Sequence, residues 1–118
     1  MRVVVAGSRS IENCYEVCLA IMESGFDVTE VVCGRARGVD TIGEAYAHVE
    51  GIPVKVFTAS WELHGNAAGP IRNTEMADYA DAAVVVWDGK SSGSRNMIEQ
   101  MERRGKPVYV HVVGEKRE

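Results

Sequence analysis

The stretch Arg2-Val3-Val4-Val5-Ala6-Gly7-Ser8-Arg9 decides the fold. Within residues 2–6 a continuous, largely β-branched apolar run follows Arg2, the pattern of a strand buried on both faces. A glycine, a hydroxyl and a cation follow at once. Then comes a stretch with helical periodicity, from Ile11 to about Ser24, with Ser10 as the expected N-cap, Glu12 and Glu16 near its positive end, and Gly25 as its stop. The same succession recurs twice. Residues 28–33 lead into Gly34-Arg35-Ala36-Arg37-Gly38-Val39-Asp40, and residues 82–87 lead into Asp88-Gly89-Lys90-Ser91-Ser92-Gly93-Ser94. Glycine lets a backbone approach a ligand closely because it has no Cβ. A following helix start offers unpaired N–H groups and partial positive charge.

The remaining elements fit between these units. Val39, Ile42, Ala45, Tyr46 and Val49 recur at three- and four-residue steps and predict a helix ending at Gly51. Pro53 opens a strand through Phe57. Residues 58–69 read as an irregular loop, long enough to carry function. Pro70 reads as the first residue of a helix running to about Tyr79. Met97, Ile98 and Met101 mark the inner face of a last helix ending at Gly105, and residues 107–113 form a fifth strand. Alternating strands and helices predict an α/β domain with helices on both faces of a five-stranded, mainly parallel sheet of order 3-2-1-4-5. Ligands in such sheets bind beyond the strand carboxyl ends, where the strand order reverses. All three glycine loops fall at that edge.

The 118 residues read as one domain, 1–118, with 114–118 a frayed tail. The apolar fraction of 46% and charged fraction of 25% are those of an ordinary soluble chain. No apolar run approaches the ~20 residues of a membrane helix, and the start is too short for a secretory signal. A cytoplasmic protein with no membrane partner is expected. The three cysteines, odd in number and irregularly spaced, suggest no disulfide framework. The net charge of −4 argues against a broad polyanion surface. Yet Arg9, Arg35, Arg37, Lys90 and Arg95 lie in or beside the glycine loops, and Arg72 follows Gly69-Pro70. That clustering suits a small anionic ligand.

Each candidate has a functional and a plain reading. Gly7, Ser8 and Arg9 can hold phosphate or simply turn the chain. Asp40 can cap its helix or receive ribose hydroxyls. Arg35 and Arg37 can both face the crevice, or one can make a surface ion pair. Gly93 and Ser94 start a helix as the first loop does, with Arg95 one residue on. Asp88 can orient a sugar, coordinate magnesium or cap its own turn. Arg72 can clamp a phosphate, and Asn73 can read a base edge or satisfy a loop carbonyl. Trp61 is the better stacking candidate, and Trp87 reads as core. Cys14 and Cys18 read as helix packing. His48, His64 and His111 have no metal-ligand spacing, so no metal site is expected and no cofactor is required.

With these segments in hand, the chain resembles the SLOG superfamily, the Rossmann-like group that includes the DNA-processing (Smf) proteins and the LOG phosphoribohydrolases. It is most similar in kind to the small stand-alone YspA-like members of bacteria and their phages. Gly7-Ser8-Arg9, residues 33–40, Ala68-Gly69-Pro70-Ile71-Arg72-Asn73 and residues 88–94 carry the resemblance. It implies a nucleotide or nucleotide-derived ligand, such as an ADP-ribose or NAD-derived signal that the protein senses or sequesters, held by Gly34, Gly38, Gly93, Ser94, Ser8 and Arg9, with charge from Arg37 and Arg72 and ribose at Asp40. It also implies a homodimer, for which the apolar helix faces of Tyr15, Cys18 and Met22 and of Met97 and Met101 leave room.

Two departures stand out. Family members usually have paired glycines where Arg35 follows Gly34. LOG enzymes carry a Pro-Gly-Gly-x-Gly-Thr-x-x-Glu motif with a required glutamate; counting on from Ser94 reaches Met97, and Glu99 lies about 200° further round a helix. The alternatives are therefore an N-glycosidic or other nucleotide hydrolase, for which Asp40, Asp88 and Glu99 are the carboxylates on offer, and a single-strand nucleic-acid binder, disfavoured by net charge.

Overall fold

A computed structural model describes residues 1–35 and 38–113. Arg37 and the expected frayed tail lie outside the described residues. Five parallel strands run β1 Arg2–Gly7, β2 Glu30–Cys33, β3 Val54–Val56, β4 Ala82–Trp87 and β5 Val108–Val112. Their order in the sheet is β3-β2-β1-β4-β5, as the alternation of elements predicts. β1 sits at the centre, pairing Val3 with Val31 on one side and with Ala82 on the other.

The helices are α1 Cys14–Ser24, α2 Val39–Glu50, α3 Trp61–His64, α4 Ala68–Tyr79 and α5 Ser92–Arg103. Successive residues of a strand face opposite sides, so the central valines divide between two cores. Val3, Val5, Val84 and Val86 pack with Val17 and Ile21 of α1 and with Val39 and Ala47 of α2. Val4, Ala6, Ala83 and Val85 pack with Met76 and Ala77 of α4 and with Met97 and Met101 of α5. Two helices therefore cover each face. This explains why β1 and β4 read as unbroken apolar runs. It also corrects one expectation: Met97 and Met101 are fully buried and offer no face to a partner, whereas Tyr15 and Met22 are exposed.

Local chemistry shifts several boundaries. α1 begins at Cys14, and its N-cap is Asn13, not Ser10; the Asn13 side chain accepts from the Tyr15 and Glu16 amides at 2.9 and 3.4 Å. Ile11 is buried in the first core. Seating it there keeps the chain out of the helix for two more residues. Gly25 ends α1 in the left-handed conformation with φ 72°. Residues 58–69 are not irregular throughout: α3 and a 3-10 turn, Gly65–Ala67, lead into α4. Pro70 stands third in α4, within the first turn, where its missing N–H costs nothing.

Candidate functional site

Beyond the ends of β1 and β4, two of the glycine loops meet. A Cβ on Gly7 would collide with the Val86 carbonyl oxygen and lie 2.8 Å from a Val39 methyl. Only glycine lets the chain leave β1 so close to its neighbour. Ser8 follows, buried, its amide donating to the Val86 carbonyl at 3.1 Å. The Ser8 hydroxyl accepts the Asp88 amide at 3.0 Å, so loops one and three are tied directly. Asp88 accepts the Lys90 and Ser91 amides on one oxygen, both at 2.8 Å. The Ser91 and then the Lys90 N–H hold its carboxyl below the usual range. The turn-capping reading of Asp88 is thus the one its geometry matches.

A directed chain of hydroxyls runs on from this turn. Ser91 Oγ donates to Ser94 Oγ at 3.0 Å and lies 3.0 Å from Ser8 Oγ. A hydroxyl has one hydrogen. Ser91 gives its own to Ser94, so Ser8 must donate to Ser91. Ser94, 4% exposed, accepts at the end of the chain, and its own hydrogen has no acceptor among the described residues.

Ser94 belongs to the first turn of α5. Ser91, the N-cap, is extended at φ −64°, ψ 132°, but its side chain makes no capping bond. The first intrahelical bond there is from the Arg95 amide to the Ser91 carbonyl. The Ser92, Gly93 and Ser94 amides therefore have no acceptor among the described residues. They open on a cavity of about 730 Å³, which is lined by residues 7–10, Asp40, Trp61, the start of α4 and the 88–97 segment. A Cβ on Gly93 would touch nothing within 4 Å; one on Gly69, in α4, would meet only the Trp61 ring at 3.5 Å. These two glycines are bare where the protein itself needs no space.

The second loop braces the site more than it lines it. Gly38, at φ 77°, presses on the Ser8 and Arg9 carbonyl oxygens, which a Cβ would approach to 2.5 and 2.6 Å. Asp40, 4% exposed, accepts the Gly34 amide at 2.9 Å. Its side chain thus ties down the second loop, a role neither sequence reading gave it. Gly34 leaves room for Arg72, whose Nη1 would lie 2.5 Å from a Cβ there. Arg72 donates to the Gly34 carbonyl at 3.0 Å and to the Asn73 side-chain oxygen at 3.2 Å. Burial pushes its pKa down; the Asp40 charge opposes that and the Arg9 charge adds to it. Asn73, buried, donates to the Gly93 carbonyl at 3.2 Å and to Asn96 Oδ1 at 3.1 Å. One strap thus runs from loop two through α4 to the start of α5.

The remaining candidates separate. Arg9 is exposed at the cavity wall and Trp61 is 49% exposed beside it. Arg35 adopts φ 57°, the left-handed region that a glycine would occupy freely, and pairs with Glu44 at 3.0 Å. It reaches away from the large cavity and borders a smaller hollow of about 200 Å³ with Arg9 and Arg72. Arg95 lies over the Trp87 ring, 5.4 Å from its centroid. Glu99, the third candidate carboxylate, is exposed and is not among the residues that line the cavity. Cys33 is buried, and burial pushes its thiol up to about 11, leaving it protonated at neutral pH. No three or more His, Cys, Asp or Glu side chains cluster as metal ligands among the described residues. Sequence reading missed Ser91 as the middle of the hydroxyl chain and Asn96 as partner of Asn73. Their signal was spacing: each stands three residues from Ser94 or Gly93, one helical turn away.

An open parallel sheet with an uncapped helix start facing a cavity at the strand-order reversal defines a Rossmann-like domain. The chain belongs to the YspA, cpYpsA-related SLOG family, whose model matches residues 1–64. It is 34% identical over 117 residues to the Gene 61 protein of Mycobacterium phage D29, covering 91% of this chain and 93% of that protein. Its fold is similar to that of DNA processing protein A (DprA) from Streptococcus pneumoniae, with a TM-score of 0.74 and 19% identity over 92% of this chain. The chain spans 49% of the DprA chain, about half its length. The family match ends before α4, so the α5 half of the cavity rests on this chain's own residues. Among the described residues no helix is long and apolar enough to cross a membrane.

Proposed function

We propose that the protein binds a nucleotide or nucleotide-derived small molecule, its phosphate seated on the first turn of α5. The observation that carries this reading is Gly93. Its α-carbon faces open space over three amides without acceptors among the described residues, beside a buried Ser94 hydroxyl with a hydrogen to donate. Every polar group named there is a donor, and Arg9 and Arg72 add positive charge. A phosphoryl group supplies acceptors to all of them. The exposed Trp61 ring is placed for a base or sugar.

Binding without cleavage is favoured over hydrolysis by where the carboxylates sit. Asp40 accepts the Gly34 amide, Asp88 holds its own turn, and Glu99 faces solvent. A sensing or sequestering role fits that reading. The test is calorimetric titration with adenosine and with adenosine 5′-monophosphate. Binding of the monophosphate alone is expected; equal binding of the two would remove the phosphate seat. Release of free base during the same incubation would instead establish the hydrolase.

A further inference from the structure

The smaller hollow is a second place for negative charge. It is bounded by Arg9, Arg35 and Arg72, with Thr58 and Trp61 beside them. Like charges held together in a concave site repel unless an anion joins them. Of the three guanidinium groups, only that of Arg35 has a carboxylate partner among the described residues, Glu44. Arg72 donates through Nε and Nη1 to protein oxygens, whereas its Nη2 reaches no acceptor among the described residues. Arg9 forms no ion pair there. The backbone of Arg35 also sits in the left-handed region, an outlier of the kind that gathers at functional sites.

The two hollows are not independent. Arg9, Trp61 and Arg72 line both, so a guest filling both must pass the indole. We infer that the smaller hollow is a second anion subsite, and that the ligand carries two separated phosphoryl groups, one on the α5 amides and one among Arg9, Arg35 and Arg72, with its sugar or base against Trp61. The ligand class is a nucleoside bisphosphate or a dinucleotide, not a simple monophosphate. This rests on the nucleotide reading above and deepens it.

The test compares adenosine 5′-monophosphate, adenosine 3′,5′-bisphosphate and a long single-stranded deoxythymidine oligomer by calorimetry. The probes are titrated into the wild-type chain and into Thr58→Glu. Thr58 is exposed and borders only the smaller hollow, so the added carboxylate should spare the fold; an unchanged circular dichroism spectrum checks that, and Ala59→Asp serves as a second variant. The bisphosphate should bind at least about tenfold tighter than the monophosphate, the worth of one or two charge-assisted bonds. Thr58→Glu should abolish most of that advantage while changing monophosphate affinity by no more than about twofold. Equal affinity for the two nucleotides, indifferent to Thr58→Glu, would overturn the second subsite and leave the nucleotide reading intact. Failure of both nucleotides to bind would overturn both readings. An oligomer that outcompetes the bisphosphate, with affinity growing with length, would overturn the small ligand in favour of a polynucleotide.

Discussion

Five of the glycines in and beside the candidate loops look alike in the sequence, and the structure divides them. Gly7, Gly34 and Gly38 are bare because a neighbouring protein atom occupies the space a Cβ would take. Gly69 and Gly93 have no such neighbour. Gly93→Ala should therefore leave the fold as stable or raise its stability by up to about 1 kcal/mol, since alanine is the better helix former. The same change should weaken nucleotide binding by crowding the phosphate. Thermal unfolding and titration on one preparation measure both; a variant that lost stability and kept its affinity would refute the role given to Gly93. Asp88 supplies a pH test. Its folded pKa lies below the ordinary 3.8. The stability it contributes is therefore complete above that value and is lost as pH falls through the lower, folded one. Asp88→Asn should flatten the acid limb of a stability–pH profile below about pH 4 and leave its slope at neutral pH unchanged. Side-chain identity at Arg9, Arg72 and Ser94 was legible in the sequence. That Asp40 restrains a loop was not, because its partner is a backbone amide six residues earlier.

At the scale of elements, the helix ends decide how well the site is held. Asn13→Ala should destabilise by about 1 kcal/mol through loss of the cap, while Ser10→Ala should cost little. Urea unfolding of the pair separates the two candidate caps. The sequence offered Ser10 because a small hydroxyl stood just before an apolar run. It could not show that Ile11 turns inward and delays the helix. Asn73 matters more, because it binds α4 to the first turn of α5. Asn73→Leu takes the acceptor from Arg72 Nε and the donor from Asn96 Oδ1, and should cost about 1–3 kcal/mol, the penalty for buried polar groups left without a partner. It should also lower nucleotide affinity, as the amides of α5 lose their fixed aim. Asn73 was picked out in the sequence for its short polar side chain. Its partners lie 20 and 23 residues away in the chain, and no local pattern records such a distance.

Across the whole molecule, strand order was the most legible property. Apolar runs too continuous for a half-exposed sheet required helices on both faces, and crossovers of one hand left few arrangements. The division of the valines was implicit in that reading. Val84→Ala, at the centre of the first core, should cost about 2–3 kcal/mol for two lost carbons and the space they leave. Denaturant titration would show it as a lower midpoint with an unchanged slope. Residues 58–69 were less legible because α3 is only four residues long, shorter than any periodicity can register.

The central position of β1 between β2 and β4 has a further consequence. β1, the earliest strand of the fold in chain order, cannot find both neighbours until residues 82–87 have been made. Through all that time its valines are bare on one edge. Folding must wait on late synthesis, and an interrupted nascent chain would carry a sticky, half-finished sheet into a crowded cell.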